Sequence, residues 1–103
     1  MDAQLQQRIE DQLKSSKIIL FMKGTPDMPQ CGFSAKTSAI LKTYGVPFST
    51  FNIFDDEDIR QGLKEYSDWP TYPQLYVNAE LVGGCDIITE MHENGELKTM
   101  LEK

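Results

Sequence analysis

Residues 18–34 read Ile18-Ile19-Leu20-Phe21-Met22-Lys23-Gly24-Thr25-Pro26-Asp27-Met28-Pro29-Gln30-Cys31-Gly32-Phe33-Ser34. The run Ile18–Met22 is apolar on both faces that a strand presents, the pattern of a central strand covered by helices on two sides. Lys23-Gly24-Thr25-Pro26 ends it. The loop to Gln30 holds two prolines, which predicts an extended, stiff connection. A helical pattern follows, in which Phe33, Thr37, Ile40, Leu41 and Tyr44 share one face and Gly45 is a natural C-terminal stop. Strand, loop and helix in this order open an α/β fold.

Upstream, Leu5, Ile9 and Leu13 recur every four residues and predict an amphipathic helix over 2–14. Downstream, Phe48 to Ile53 is aromatic and β-branched, a second strand. The acidic cluster Asp55-Asp56-Glu57-Asp58 suits a helix start, where carboxylates cap free amides and meet the positive end of the dipole. Ile59, Leu63 and Tyr66 give that helix a buried face, although Gly62 inside it costs about 1 kcal/mol relative to Ala. Trp69-Pro70-Thr71-Tyr72-Pro73 stops it and leads into a third strand, Gln74–Val77. Asn78-Ala79 is the tight turn to a fourth, Glu80–Val82. Gly83-Gly84-Cys85-Asp86 precedes a helix through Ile87, Ile88 and Met91, with Asp86 as its N-cap. Asn94-Gly95 breaks that helix, and Leu97 and Leu101 mark a short last one. The order αβαβαββαα predicts an α/β domain over 1–103, with a mixed four-stranded sheet and helices on both faces.

A chain of 103 residues is one domain in length. Val, Ile, Leu and Phe make up 25 of them, enough for a packed core and too many for a disordered chain. The longest apolar run, Ile18–Met22, is too short to span a bilayer or serve as a secretory h-region. Net charge is −6 with no basic patch, so nucleic acid and anionic membranes are poor partners. Two cysteines do not make a disulfide framework, which favours a reducing compartment. Met1 and the lack of a transit peptide point to a cytoplasmic stand-alone protein; an organellar matrix, or a domain excised from a longer chain, would look the same.

Cys31 lies where a loop feeds a helix N-terminus. Unpaired amides and the dipole there favour thiolate over thiol, so its pKa is expected to be lowered; the bland alternative is a small apolar residue filling space. Gly32 lets the backbone turn closely beside the sulfur. Position 34 decides what redox chemistry is open: in a C-x-x-C pair it would be a second sulfur, and here it is Ser34. The site is monothiol. His92 and Cys85 are too few for a zinc site, which wants about four ligands, and no phosphate loop or Ser/His/Asp set supports a hydrolase.

Across nearly its full length the chain resembles the monothiol glutaredoxins of the CGFS type, in the thioredoxin-like superfamily. The resemblance is carried by Ile18–Gly24, by Cys31-Gly32-Phe33-Ser34, and by Arg60-Gln61-Gly62-Leu63-Lys64. Two later blocks extend it, Trp69-Pro70-Thr71-Tyr72-Pro73-Gln74-Leu75-Tyr76 and Gly83-Gly84-Cys85-Asp86-Ile87. It implies a thioredoxin-like (glutaredoxin) fold and a glutathione site. By that resemblance Lys23 and Arg60 hold one carboxylate end of glutathione, and Lys64 could assist. Pro73 is the cis proline, turning the backbone of Tyr72 outward to pair with the glutathione backbone. The amides of Cys85 and Asp86 receive the γ-glutamyl carboxylate, and the Asp86 carboxylate takes its ammonium group. Phe33 could flank the thiol. Cys85 is either a passive small residue, the preferred reading, or a second thiol able to pair with Cys31.

A [2Fe–2S] cluster takes four sulfur ligands. The resemblance implies two from Cys31 of each chain in a homodimer and two from bound glutathiones. The leading expectation is therefore an iron–sulfur cluster scaffold and carrier, with apo iron–sulfur proteins and BolA-family proteins as partners. The alternative is a glutathione-dependent thiol-disulfide oxidoreductase working through a Cys31–glutathione mixed disulfide; the resemblance implies that the extended Lys23–Cys31 loop goes with poor reductase activity, which disfavours it. A third reading is a purely recruiting module.

Overall fold

In the computed structural model, which describes residues 1–103, the first strand, β1 (Ile18–Met22), is buried at every position. Alternate side chains point to opposite faces of a sheet, and β1 feeds two separate cores in just this way. Ile18, Leu20 and Met22 join one cluster, and Ile19 and Phe21 join the other. The remaining elements are α1 (Ala3–Lys14), α2 (Gly32–Lys42), β2 (Ser49–Asn52), α3 (Glu57–Ser67), β3 (Gln74–Val77), β4 (Glu80–Gly83), α4 (Cys85–Asn94) and α5 (Glu96–Glu102). The sheet order is β2-β1-β3-β4, with β1 parallel to β2 and antiparallel to β3. This is the expected element order and the expected mixed sheet.

The two faces are covered by different helices. Ile9 and Leu13 of α1 and Ile59 and Leu63 of α3 pack with Ile19, Phe21 and Tyr76. On the other side Ile40 and Leu41 of α2, Ile88 of α4 and Leu97 and Leu101 of α5 pack with Leu20, Leu75 and Val77. No helix is long and apolar enough to cross a membrane.

Gly62, unfavourable by helix propensity, is explained by the contact between α1 and α3. A Cβ there would stand 2.9 Å from Leu5 Cδ2 and 3.0 Å from Ile9 Cδ1, so the two helices approach closely only because position 62 has no side chain. The Asn78-Ala79 turn has positive φ at both residues, 53° and 66°, the geometry that matches the twist of a two-residue hairpin.

Several boundaries differ from the pattern reading. The second strand stops at Asn52 rather than Ile53, because the Asn52 Oδ1 accepts from the Phe54 amide at 3.0 Å and bends the chain into a 3₁₀ turn over Ile53–Asp55. Asp56 alone of the acidic cluster caps α3, accepting from the Ile59 amide at 3.1 Å, and an ion pair with Arg8 ties that cap to α1. α2 ends at Lys42, ahead of Gly45, where the Thr43 hydroxyl donates to the Ile40 carbonyl at 2.6 Å. Phe33 and Tyr66 face solvent rather than core.

Gly62→Val tests the α1–α3 contact. Overpacking of this kind costs about 1–3 kcal/mol, so the variant is expected to unfold at lower urea concentration than the wild type with an unchanged m-value; an equal or higher midpoint contradicts the close approach.

Candidate functional site

The loop after β1 doubles back instead of running extended. The Thr25 amide donates to Met28 O at 3.2 Å, Met28 N returns the bond to Thr25 O at 3.1 Å, and Gln30 N donates to Lys23 O at 2.9 Å. This hairpin-like closure brings Cys31 back to the end of β1 that Lys23 occupies. Cys31 itself is the N-cap of α2. Two positions into the helix beyond Gly32, Ser34 is fully buried, and its Oγ accepts from the Lys23 amide at 3.0 Å.

The Cys31 thiol is half-buried and free, and its pKa lies below the ordinary cysteine range. The Ser34 amide is the main cause, opposed by partial burial; the Phe33 amide, the Lys23 charge and the Ser34 hydroxyl add to the lowering. Anionic sulfur is thus favoured chiefly by the open amides of a helix start.

Beside it lies a groove of about 410 Å³, lined by Lys23, Phe33, Trp69, Thr71, Tyr72, Pro73, Gly84, Cys85, Asp86 and Ile87. Five of the seven residues singled out from the sequence, Lys23, Tyr72, Pro73, Cys85 and Asp86, therefore share one cavity. Cys31 and Arg60 are not part of its wall. Arg60 is linked to it through Tyr72, whose buried hydroxyl donates to Arg60 O at 2.8 Å; burial pushes the Tyr72 phenol pKa up. The Tyr72–Pro73 peptide is cis, and the Tyr72 backbone enters none of the loop and turn hydrogen bonds. Its N–H and C=O make no hydrogen bond within the chain.

Asp86 is not the N-cap of α4. Gly84 holds that place and the helix begins at Cys85, because Gly83 and Gly84 let the chain fold in more tightly than an Asx cap allows. A Cβ on Gly83 would lie 2.9 Å from three atoms of the Ile87 side chain, and one on Gly84 3.2 Å from Pro73 O. The Asp86 side chain is consequently exposed, beside first-turn amides that no helical carbonyl can reach. Cys85 is buried, its sulfur 3.9 Å from Thr89 Oγ1.

Sequence reasoning missed Gln74. Fully buried, it donates through Nε2 to the carbonyls of Trp69 and Thr71, each at 3.1 Å, and accepts from the Tyr76 hydroxyl at 2.7 Å. That network fixes the groove wall from behind. Burial holds the Tyr76 pKa up to about 12, so this phenol stays a donor across the physiological range. The one visible signal was a glutamine in a strand otherwise reading as apolar.

A thioredoxin-like α/β sheet with one activated thiol at a helix start and a cis-proline ahead of β3 defines a class of thiol proteins. The glutaredoxin family model matches residues 18–82. The chain is 55% identical over 94 residues to "Probable monothiol glutaredoxin 2" of Rickettsia typhi, covering 91% of this chain and 85% of that protein. It is 54% identical over 99 residues to "Monothiol glutaredoxin-S11" of Oryza sativa subsp. japonica, covering 96% of this chain but only 20% of that longer protein. The solution structure of reduced poplar apo GrxS14 superposes with a TM-score of 0.82 at 51% identity, covering 95% and 90% of the two chains. The chain belongs to the glutaredoxin family, among its monothiol members.

The pKa argument is tested by the pH dependence of Cys31 alkylation in a Cys85→Ser background. A lowered pKa means the thiolate, and hence the rate, reaches its plateau at lower pH; the midpoint is expected below the free-cysteine value of about 8.5. Lys23→Gln should recover only a minor part of the shift, since backbone amides dominate it. A midpoint at or above the reference contradicts the helix-start account.

Proposed function

We propose that the groove binds glutathione and that two copies of the chain carry a [2Fe–2S] cluster between them as cargo for transfer to apo-proteins. The observation that carries this reading is the donor set. Cys31 is the single accessible, activated sulfur; Cys85 is buried, and Ser34 replaces any neighbour sulfur. No group of three or more His, Cys, Asp and Glu side chains that could hold a metal exists within the chain. By the family resemblance, the four sulfur ligands of such a cluster come from Cys31 of two chains and from two glutathiones, and the groove beside Cys31 offers a place for one.

The residues divide the work by chemistry. Lys23 and Arg60 receive the glycine carboxylate of glutathione, which places cations locally on an acidic protein. The open backbone of Tyr72, beside cis-Pro73, pairs with the peptide. The amides of Cys85 and Asp86 take the γ-glutamyl carboxylate and the exposed Asp86 side chain its ammonium group. So held, the glutathione thiol supplies the sulfur ligand that the chain lacks. A ligand held by such contacts exchanges, which suits a carrier delivering to apo iron–sulfur proteins, with BolA-family proteins as further partners.

The lowered Cys31 pKa also supports the oxidoreductase reading. There the Cys31 thiolate attacks the glutathione sulfur of a mixed disulfide and releases the substrate thiolate. A second glutathione thiolate then attacks the Cys31–glutathione disulfide, releasing oxidised glutathione and restoring Cys31.

Anaerobic reconstitution with iron, sulfide and glutathione separates the two. Wild type is expected to gain visible absorbance and elute as a dimer, Cys85→Ser to do the same, and Cys31→Ser to remain colourless and monomeric. Assembly should fall sharply without glutathione. Retention of colour by Cys31→Ser overturns the ligand assignment; a colourless wild type that rapidly reduces glutathionylated substrates replaces the carrier reading with the enzyme.

A further inference from the structure

We propose that Phe54 is a positioning residue: an exposed aromatic shelf that holds the Arg60 guanidinium ready for the glycine carboxylate of glutathione. The inference rests on the ligand reading above.

Phe54 is a large apolar side chain left 51% exposed, and neither hydrophobic core includes it. Its ring nevertheless has a partner. The Arg60 guanidinium carbon lies over it, 5.7 Å from the centroid, within the range in which a ring face attracts a cation. Arg60 is otherwise poorly tethered. Its Nε is buried without a hydrogen-bond partner, and its one ion pair, Nη1 to the exposed Glu57, is long at 3.4 Å. A guanidinium offers five donors, and only Nη1 is engaged within the chain, in one long hydrogen bond to Glu57; packing on the ring is the other contact that sets where it stands. That leaves its donor edge for a planar, two-oxygen anion, the geometry in which arginine binds best.

The shelf is itself anchored to the site. The Asn52 Oδ1 accepts from both the Phe54 amide at 3.0 Å and the Gly24 amide at 3.1 Å. Gly24 follows Lys23 directly, so one side-chain oxygen couples the 3₁₀ turn bearing Phe54 to the strand end bearing the other cation. On the far side, the Tyr72 hydroxyl fixes the Arg60 backbone at 2.8 Å. Backbone and side chain of Arg60 are thus held by separate contacts, and Phe54 supplies the second. Ordering a long, rotamer-rich side chain before the ligand arrives removes an entropy cost from binding.

The test is an NMR titration of the apo protein with glutathione and, separately, with glutathione monoethyl ester, in which the glycine carboxylate is blocked. Phe54→Ala is expected to weaken glutathione about two- to fivefold, the range of an exposed cation–π contact, while leaving affinity for the ester unchanged. Phe54→Tyr, which keeps a ring face, should bind glutathione like wild type. Arg60→Ala should weaken glutathione and reduce the preference for it over the ester, the remainder being left to Lys23. Equal weakening of both ligands by Phe54→Ala makes Phe54 a groove wall and overturns the proposal, as does unchanged glutathione affinity in that variant while Arg60→Ala still weakens binding. If Arg60→Ala binds glutathione like wild type, the ligand reading of Arg60 fails, and the shelf with it.

Discussion

The hydrogen bond from the Lys23 amide to the buried Ser34 Oγ, 3.0 Å long, is the constraint around which the site is arranged. A buried donor left without a partner costs about 1–3 kcal/mol, so this contact fastens the end of β1 to the first turn of α2. With both ends fixed, the intervening loop must double back, and Cys31 is delivered to the N-cap of α2. The same residue also tunes the thiol, since the Ser34 amide is the largest cause of the lowered Cys31 pKa and its hydroxyl adds to it. The serine side chain therefore fixes the scaffold and withholds a second sulfur for an internal disulfide, while the activation of Cys31 comes mainly from the backbone amide at this position, with the hydroxyl the smallest contributor. Monothiol character thus lies in the side chain of position 34, and thiolate character mainly in the backbone amides of the helix start.

The fold collects positive potential on an acidic surface. The N-termini of α2 and α4 both open at the groove region, one at Cys31 and the other at Cys85 and Asp86. Lys23 stands in the groove wall and Arg60 close behind Tyr72. A chain of net charge −6 thus presents a local arrangement suited to a small peptide bearing two carboxylates. The groove is shaped by contacts remote from any ligand: the Gln74 network behind Trp69 and Thr71, and the closeness of Gly84 to Pro73 O.

What was legible in the sequence was whatever depends on periodicity or on a residue with one dominant physical habit. The double-faced apolar run of β1 located the centre of the sheet, and Cys31 after a proline-bearing loop marked a helix start. The cis state of Pro73 came from family resemblance, not from periodicity. The readings that failed turn on side chains choosing among local partners. Asn52 could continue a strand or bend it, and its two accepted hydrogen bonds are with residues that pattern does not bring together. Asp86 had the right chemistry for an N-cap, but the space left by Gly83 and Gly84 moved the cap to Gly84. Gly62 read as a weakness in α3 until the packing of Leu5 and Ile9 against it gave it a reason. The course of the Lys23–Cys31 loop was hidden because proline stiffness limits each residue's φ without fixing where the chain goes.

The central claim is one of stoichiometry: a single protein sulfur per chain, completed by a second chain and by small thiols. Native mass spectrometry of the reconstituted protein tests it most directly. The account predicts a species of two chains, one [2Fe–2S] cluster and two glutathiones that falls apart to apo monomers when the cluster is lost. A cluster held by one chain, or by two chains without glutathione, would contradict it.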